Sequence, residues 1–492
     1  MGHLIMLKNR TIKYKLPIKV VDSNLPLEYF DSLLREHDDQ IPLYEPLLVK
    51  LKQGDYFILD FGKETCGGIR ILTGIDREMR PNMKIHIRFG ESISEACSTL
   101  GISGACNDHS TRDFIAEIPA LSDQHFGDTG FRFVRIDILE DNLNTLPFKV
   151  IYAWEYDYGY KVINSYKSED KRIQDIYDTC VHTVTLCMQN RIWDGIKRDR
   201  LVWIGDMEPE IHAILHVYGN IPLIKETLTT AIGHNQMPCW INGIPSYSAW
   251  FLLIMYDLYK MASEVDFIKS NHKYLDDIID LFNKCVKDND LDFDLVHLGY
   301  GMKNFIDWPT FKEDNEEERK EANISLLQYI LPKVQEMYKG LGLDSTTLDA
   351  LTTSIKNMKV KLPQTKVFAA FYQLVNKDKE SYEVLIKDGC KGMSTFMSYY
   401  ILKAIAQVDK NKAAELIKEY YGAMLDLGAT SFFEDFDIEW AKESYRIDEV
   451  NKGEKKDFHG DHGAHCYQGF RHSLCHGWSA GPISFLIENN IK

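Results

Sequence analysis

Two periodicities divide the chain. From about residue 10 to 160 apolar and polar residues alternate in short runs. In KIHIRFGE (84–91), Ile85, Ile87 and Phe89 share one face, and Lys84, His86 and Arg88 share the other. DYFILDFG (55–62) is bounded by Gly54 and Gly62, FRFVRIDIL (131–139) alternates, and KVIYAWEYDY (149–158) is rich in β-branched and aromatic residues. Short alternating runs separated by turn residues predict a β-sandwich. In 131–139 the inner set is either Phe131, Phe133, Arg135 and Asp137 or the complement Val134, Ile136 and Ile138. After about residue 164 the period lengthens. Residues 168–190 place Ile173, Tyr177, Cys180 and Val184 at helical spacing, with Ser168 as the expected N-cap. Further helices are expected over 207–218, 221–234, 246–262, 264–288, 316–338, 346–359, 365–375, 378–388, 393–407, 410–425 and 478–488. Their number and short connections predict a barrel of helical hairpins. No repeat period of solenoid type is present. The pattern thus gives a β-sandwich over 1–163 and a helical barrel over 164–492.

Composition narrows the class. A chain of 492 residues exceeds one ordinary core. Hydrophobic residues make up 45% and charged residues 26%, as in globular proteins. The net charge of -16 argues against nucleic acid or an anionic membrane as partner, since both need clustered basic surface. No segment reaches the roughly 18 apolar residues of a membrane span. The short apolar stretch Leu4–Leu7 precedes its charges, unlike a signal peptide, so a cytoplasmic location is expected, or a periplasmic or secreted one if an export signal has been trimmed. Ten scattered cysteines without CxxC fit free thiols. Oligomeric state is not legible.

The densest chemistry lies in WDGIKRDRLVWIGDMEPE (193–210). Carboxylates, cations and indoles mixed this closely suit a sugar, whose hydroxyls need charged partners and whose C–H faces need aromatic surfaces. A solvated charged helix end is the bland alternative.

Residues 194–206 resemble the catalytic signature of the α-L-rhamnosidases of glycoside hydrolase family 78, Asp-Cys-Pro-x-Arg-Glu-x-x-x-Trp-x-Gly-Asp. Asp194, Arg198, Trp203, Gly205 and Asp206 fall in unbroken register. Asp199 stands where the family has Glu, and Gly195-Ile196 replaces Cys-Pro. Segments 59–71, 87–91, 130–136, 244–259, 304–309, 428–436 and 472–482 resemble family segments in the family's order. The resemblance implies an (α/α)6 barrel and an inverting exo-glycosidase acting on terminal α-L-rhamnose, with carbohydrate as partner and no cofactor.

Inversion needs one carboxyl to protonate the leaving oxygen and another to deprotonate a water on the opposite face, roughly 6.5–9.5 Å apart. By the resemblance Asp199 is the acid and Glu434 the base, with Glu439 and Asp435 as nearby rivals for the base. Arg198 and Arg200 beside Asp199 would lower its pKa, and crowding by Asp194 and Asp206 would raise it. Asp194, Arg198, Trp203, Asp206, Trp250, Asp307, Trp308 and His476 are the expected sugar-binding residues. Each has an ordinary alternative: Asp206 as an N-cap, the tryptophans as core, His476 as a satisfied core histidine, and Asp199 as a simple partner of an arginine.

The stretch 457–472 carries His459, His462, His465 and His472 with Asp461 and Cys466, which taken alone invites a metal. Gly460 and Gly463 favour a loop, and no HExxH is present, so a loop shaping the leaving-group side at the barrel mouth is expected and no metal. No P-loop, GxGxxG or GxSxG occurs. Three rivals stay open: a catalytically weak sugar-binding homologue, an exo-glycosidase for another sugar, and a metal-dependent hydrolase using the histidines.

Overall fold

The computed structural model describes residues 10–38, 48–74, 82–139, 145–299 and 301–491; the stretch Leu4–Leu7 lies outside them. Strands come first: β1 (Thr11–Lys15), β2 (Lys19–Ser23), β3 (Val49–Leu51), β4 (Tyr56–Thr73), β5 (Met83–Gly90), β6 (Asp113–Ile118), β7 (Asp123–Ile138) and β8 (Leu146–Asp157). All pair antiparallel, in the order β1-β8-β4-β7-β5-β6, with β2 added to β4 and β3 to β8. The pairing is therefore one branched sheet around a core of Phe57, Leu59, Ile69, Ile85, Ile87, Phe131, Val134 and Ile136.

β4 explains the branching. The run 55–62 does not stop at Gly62 but continues as an 18-residue strand with bulges between Asp60 and Thr65 and between Gly67 and Gly68. A Cβ at Gly67 would stand 2.0 Å from the carbonyl of Trp154, and one at Gly68 2.0 Å from that of Phe126. Only glycine lets strands on both sides approach so closely. In β5, Ile85, Ile87 and Phe89 are fully buried as the alternation requires. In β7 the complement Val134, Ile136 and Ile138 points inward, with Arg135 and Asp137 half-buried; Phe131 and Phe133 are buried as well.

A single turn, α1 (Ile93–Cys97), follows β5. The helical region holds α2 (Lys171–Cys187), α3 (Ile204–Tyr218), α4 (Pro222–His234), α5 (Pro245–Ala262), α6 (Val265–Ser270), α7 (His272–Lys284) and α8 (Glu316–Leu341). It continues with α9 (Thr346–Asn357), α10 (Lys366–Asn376), α11 (Lys379–Ile386), α12 (Thr395–Ala406), α13 (Lys410–Asp426) and α14 (Pro482–Asn489). Two expectations shift. Asp170, not Ser168, caps α2, accepting from the amides of Arg172 and Ile173. The run 264–288 breaks at Asn271 into α6 and α7 and ends in a small hairpin. One large core unites these helices. Among the described residues no helix is long and apolar enough to cross a membrane. All ten cysteines are free.

The two regions meet at the loop between α2 and α3. Ile196 packs with Cys66 of β4, Cys187 and Cys475. A Cβ at Gly130 of β7 would approach Ile196 within 2.7 Å, so this glycine lets the sheet close on that loop.

Candidate active site

The loop before α3 is built as a ring. Asp194 and Leu201 close it: the Asp194 amide donates to the Leu201 carbonyl at 3.1 Å, and Asp194 Oδ1 accepts the Leu201 amide at 2.8 Å. At its tip Asp199 and Arg200 take left-handed backbone, φ 56° and 55°. Aspartate tolerates that conformation better than longer acids. The turn sends Arg198 inward and leaves Asp199 a quarter exposed.

Arg198 is the hub. Its Nη1 donates to Asp199 Oδ2 at 2.7 Å, its Nη2 to Glu434 Oε1 at 2.5 Å, and its Nε to the Arg471 carbonyl at 2.9 Å. One guanidinium thus joins the two carboxyls expected to act as acid and base, although 235 positions separate them in the chain. The Tyr467 ring lies against its face at 5.1 Å. Glu434 sits at a bend in a loop, not at a helix start. Its other oxygen accepts the Ser473 amide at 3.0 Å, and its own amide donates to the Ser473 carbonyl at 2.9 Å. Of its rivals, Glu439 is at the surface, paired to Lys442 at 2.6 Å. Asp435 is buried, and its amide donates to His472 Nε2.

His476 Nε2 lies 3.7 Å from Asp194 Oδ2 and 3.5 Å from Glu434 Oε1. Burial, then Arg198, holds its pKa well below the usual range, so the ring is neutral. Asp206 lies in the first turn of α3 and does not cap it; Asn242 Oδ1 accepts the Ile204 amide there. Asp206 instead accepts from Tyr247 Oη at 3.2 Å, and Tyr247 Oη accepts from Trp308 Nε1 at 3.1 Å. Trp203 meets the Tyr247 ring edge-on at 6.2 Å. Trp203, Tyr247 and Trp308 make one aromatic wall. Gly205 is required behind it, since a Cβ there would stand 2.3 Å from the Tyr247 ring.

Burial, reinforced by neighbouring carboxylates, pushes Asp194 and Asp206 well above the ordinary carboxylate range. Burial also raises Glu434, against the opposing pull of Arg198. Four carboxyl groups, Asp194, Asp199, Asp206 and Glu434, thus crowd around one guanidinium.

Two expected residues stand apart. Trp250 is fully buried among Tyr247, Phe396 and Tyr400, in the core rather than at a sugar surface. Asp307 spends its oxygens on Thr310 and Ser394, pinning its loop, and burial lifts its pKa to about 6. The sequence reading missed Tyr247, Tyr467 and Ser473. A tyrosine three residues before Trp250 on one helix face was the available signal for the first.

The histidines of 457–472 do not converge as ligands. His459 bonds Ser92 and the His472 carbonyl, His462 bonds Ser444 and stacks on Trp440, His465 stacks on Trp308, and His472 serves Asp435. The point shared by Glu91, Glu95 and His459 faces the Lys197 ammonium, which lies 3.1 and 3.2 Å from the two carboxylates. Beside the aromatic wall a groove of about 830 Å³ runs past Arg200, Trp203, Thr230 and His234.

Sheet and helices together have the fold of solved rhamnosidases, one of them described as a member of glycoside hydrolase family 78. A rhamnosidase from Klebsiella oxytoca, solved with rhamnose bound, superposes with a TM-score of 0.75 over 98% of this chain and 96% of its own, at 18% identity. The family 78 rhamnosidase of Bacillus sp. GL1 gives 0.70 over 94% of this chain at 15% identity. The Streptomyces avermitilis α-L-rhamnosidase, complexed with L-rhamnose, gives 0.66 over 97% at 13%. This chain spans 48% and 43% of the length of those last two. By sequence, no family profile and no curated protein matches.

Proposed function

We propose that the chain is an inverting exo-glycosidase that releases terminal α-L-rhamnose, or a similar deoxy sugar, from a glycoside. The sandwich over 1–163 would stand beside an (α/α)6 barrel over 164–492. The observation that carries this reading is Arg198 holding Asp199 and Glu434 at its two ends, beside a buried set of Asp194, Asp206 and His476. A sugar ring resting on the Trp203–Tyr247–Trp308 wall meets hydroxyl partners in Asp194 and Asp206. Asp199, the site carboxyl that reaches solvent, donates its proton to the glycosidic oxygen as the C–O bond breaks. Glu434 takes a proton from the water that attacks the anomeric carbon from the other side. The proton lost by one carboxyl is gained by the other, so the crowded cluster keeps its charge through the step, and exposed Asp199 returns the balance to solvent. The groove past Arg200, the residue after Asp199, and Trp203 would receive the leaving group.

The test is nitrophenol release from an aryl α-L-rhamnoside, with the first-formed sugar followed by NMR. Wild type releases the β-anomer first, and Asp199→Asn and Glu434→Gln each lose at least about a hundredfold in kcat. Activity equal to those variants, or first appearance of the α-anomer, contradicts the proposal. One observation favours a weak, sugar-binding homologue instead: Asp199 is already paired to Arg198. That reading expects rhamnose binding by calorimetry without turnover.

A further inference from the structure

The β-sheet region reaches both walls of the site through a fully buried charge cluster. Glu91, at the end of β5, and Glu95, in α1, have no exposed surface. Both face Lys197 Nζ, at 3.1 and 3.2 Å. Lys197 precedes the hub arginine, and its ammonium also donates to the Phe470 and His472 carbonyls. On its other side Glu91 accepts the Leu474 amide at 2.6 Å and the Ser473 hydroxyl at 3.0 Å. Ser473 is the residue whose amide holds Glu434. The segment leading to Glu434 is gripped from the sheet as well: Arg132 Nη1 donates to the Gly428 carbonyl at 3.0 Å, and the Glu64 amide donates to Thr430 Oγ1 at 2.8 Å.

We infer that Glu91, acting through Lys197 and Ser473, is a positioning residue that sets the separation of Asp199 and Glu434. The inference rests on the function proposed above for those two groups. Glu91 has no exposed surface and acts through other residues. It fixes the acid-bearing loop through the lysine and the base through the serine, so one carboxylate of the sheet holds both partners in register. Arg198 and the Gly477 amide on the Asp194 carbonyl already join the two segments, and Glu91 adds an anchor from the sheet. The sheet region is on this account part of the catalytic machinery rather than an appended sugar-binding module.

Glu91→Gln keeps the volume and removes one of the two carboxylates facing Lys197. A displacement of the order of 1 Å costs roughly a hundredfold in rate, so kcat should fall by about tenfold to a hundredfold with KM unchanged. Asp123→Asn breaks the Arg70–Asp123 pair elsewhere in the same sheet and should leave kcat as in wild type. Should Glu91→Gln fail to fold, Ser473→Ala removes the hydroxyl link, together with its contacts to the Cys475 backbone, and should show the same split between kcat and KM. Wild-type kcat in a folded Glu91→Gln, or an equal loss in Asp123→Asn, overturns the inference. A crystal structure of Glu91→Gln decides it independently of any substrate. Parting of Arg198 from Glu434 supports it, and retention of the 2.5 Å contact refutes it even if no glycoside is hydrolysed.

Discussion

Asp199 carries the main departure from the family signature, and its backbone supplies a physical reason. A residue at φ 56° favours Asp or Asn over Glu, because the short side chain can satisfy the local turn. The missing methylene is therefore matched to the turn that throws Arg198 inward. Asp199→Glu should lengthen the arm yet add backbone strain of about 1 kcal/mol. The expected outcome is a lower melting temperature and a lower kcat for nitrophenol release; a gain in kcat would show that reach, not backbone, limits the site. Asp194, Arg198 and Asp206 were legible because one short segment carries them at fixed spacing, while Glu434 and His476 were legible through their own segments. The role of Arg198 as a bridge was not, because its second partner lies across the fold.

At the scale of elements, helical periodicity was the reliable guide, and caps decided the ends. Edge strands were less legible: Ile12 and Tyr14 of β1 remain exposed, so β1 shows no buried alternation to read. Gly67 and Gly68 look like turn residues in sequence, whereas they allow β4 to run between close neighbours. On α5 the face shared by Tyr247 and Trp250 was readable, but not which ring reaches the mouth. Depth along the helix axis separates them, and a linear pattern carries no depth. Trp250→Phe should therefore leave KM unchanged. Trp250→Ala should cost about 3–5 kcal/mol by chemical denaturation, through the cavity it opens. A raised KM in the phenylalanine variant would return Trp250 to the sugar.

For the whole molecule, the junction between sheet and helices contributes to the response to acid. His182 of α2 donates from Nε2 to the Glu64 carbonyl at 2.9 Å, and burial pushes its pKa from 6.5 down to about 4. The unfolded chain takes up this proton first as pH falls. The stability it contributes is thus complete above about pH 6.5 and is lost as pH drops toward about 4. Urea titrations across that window should show a shallower decline for His182→Gln than for wild type; parallel curves would discount the histidine.

The burial of Lys197 with Glu91 and Glu95 has a consequence for behaviour in salt. Dissolved ions screen charges that water reaches, over a Debye length of about 8 Å at physiological ionic strength. Charges at the surface feel that screening, whereas the lysine and its carboxylates are at most 3% exposed. Brine therefore cannot loosen the contacts of Lys197 with Glu91 and Glu95, even where it reshapes the field at the surface.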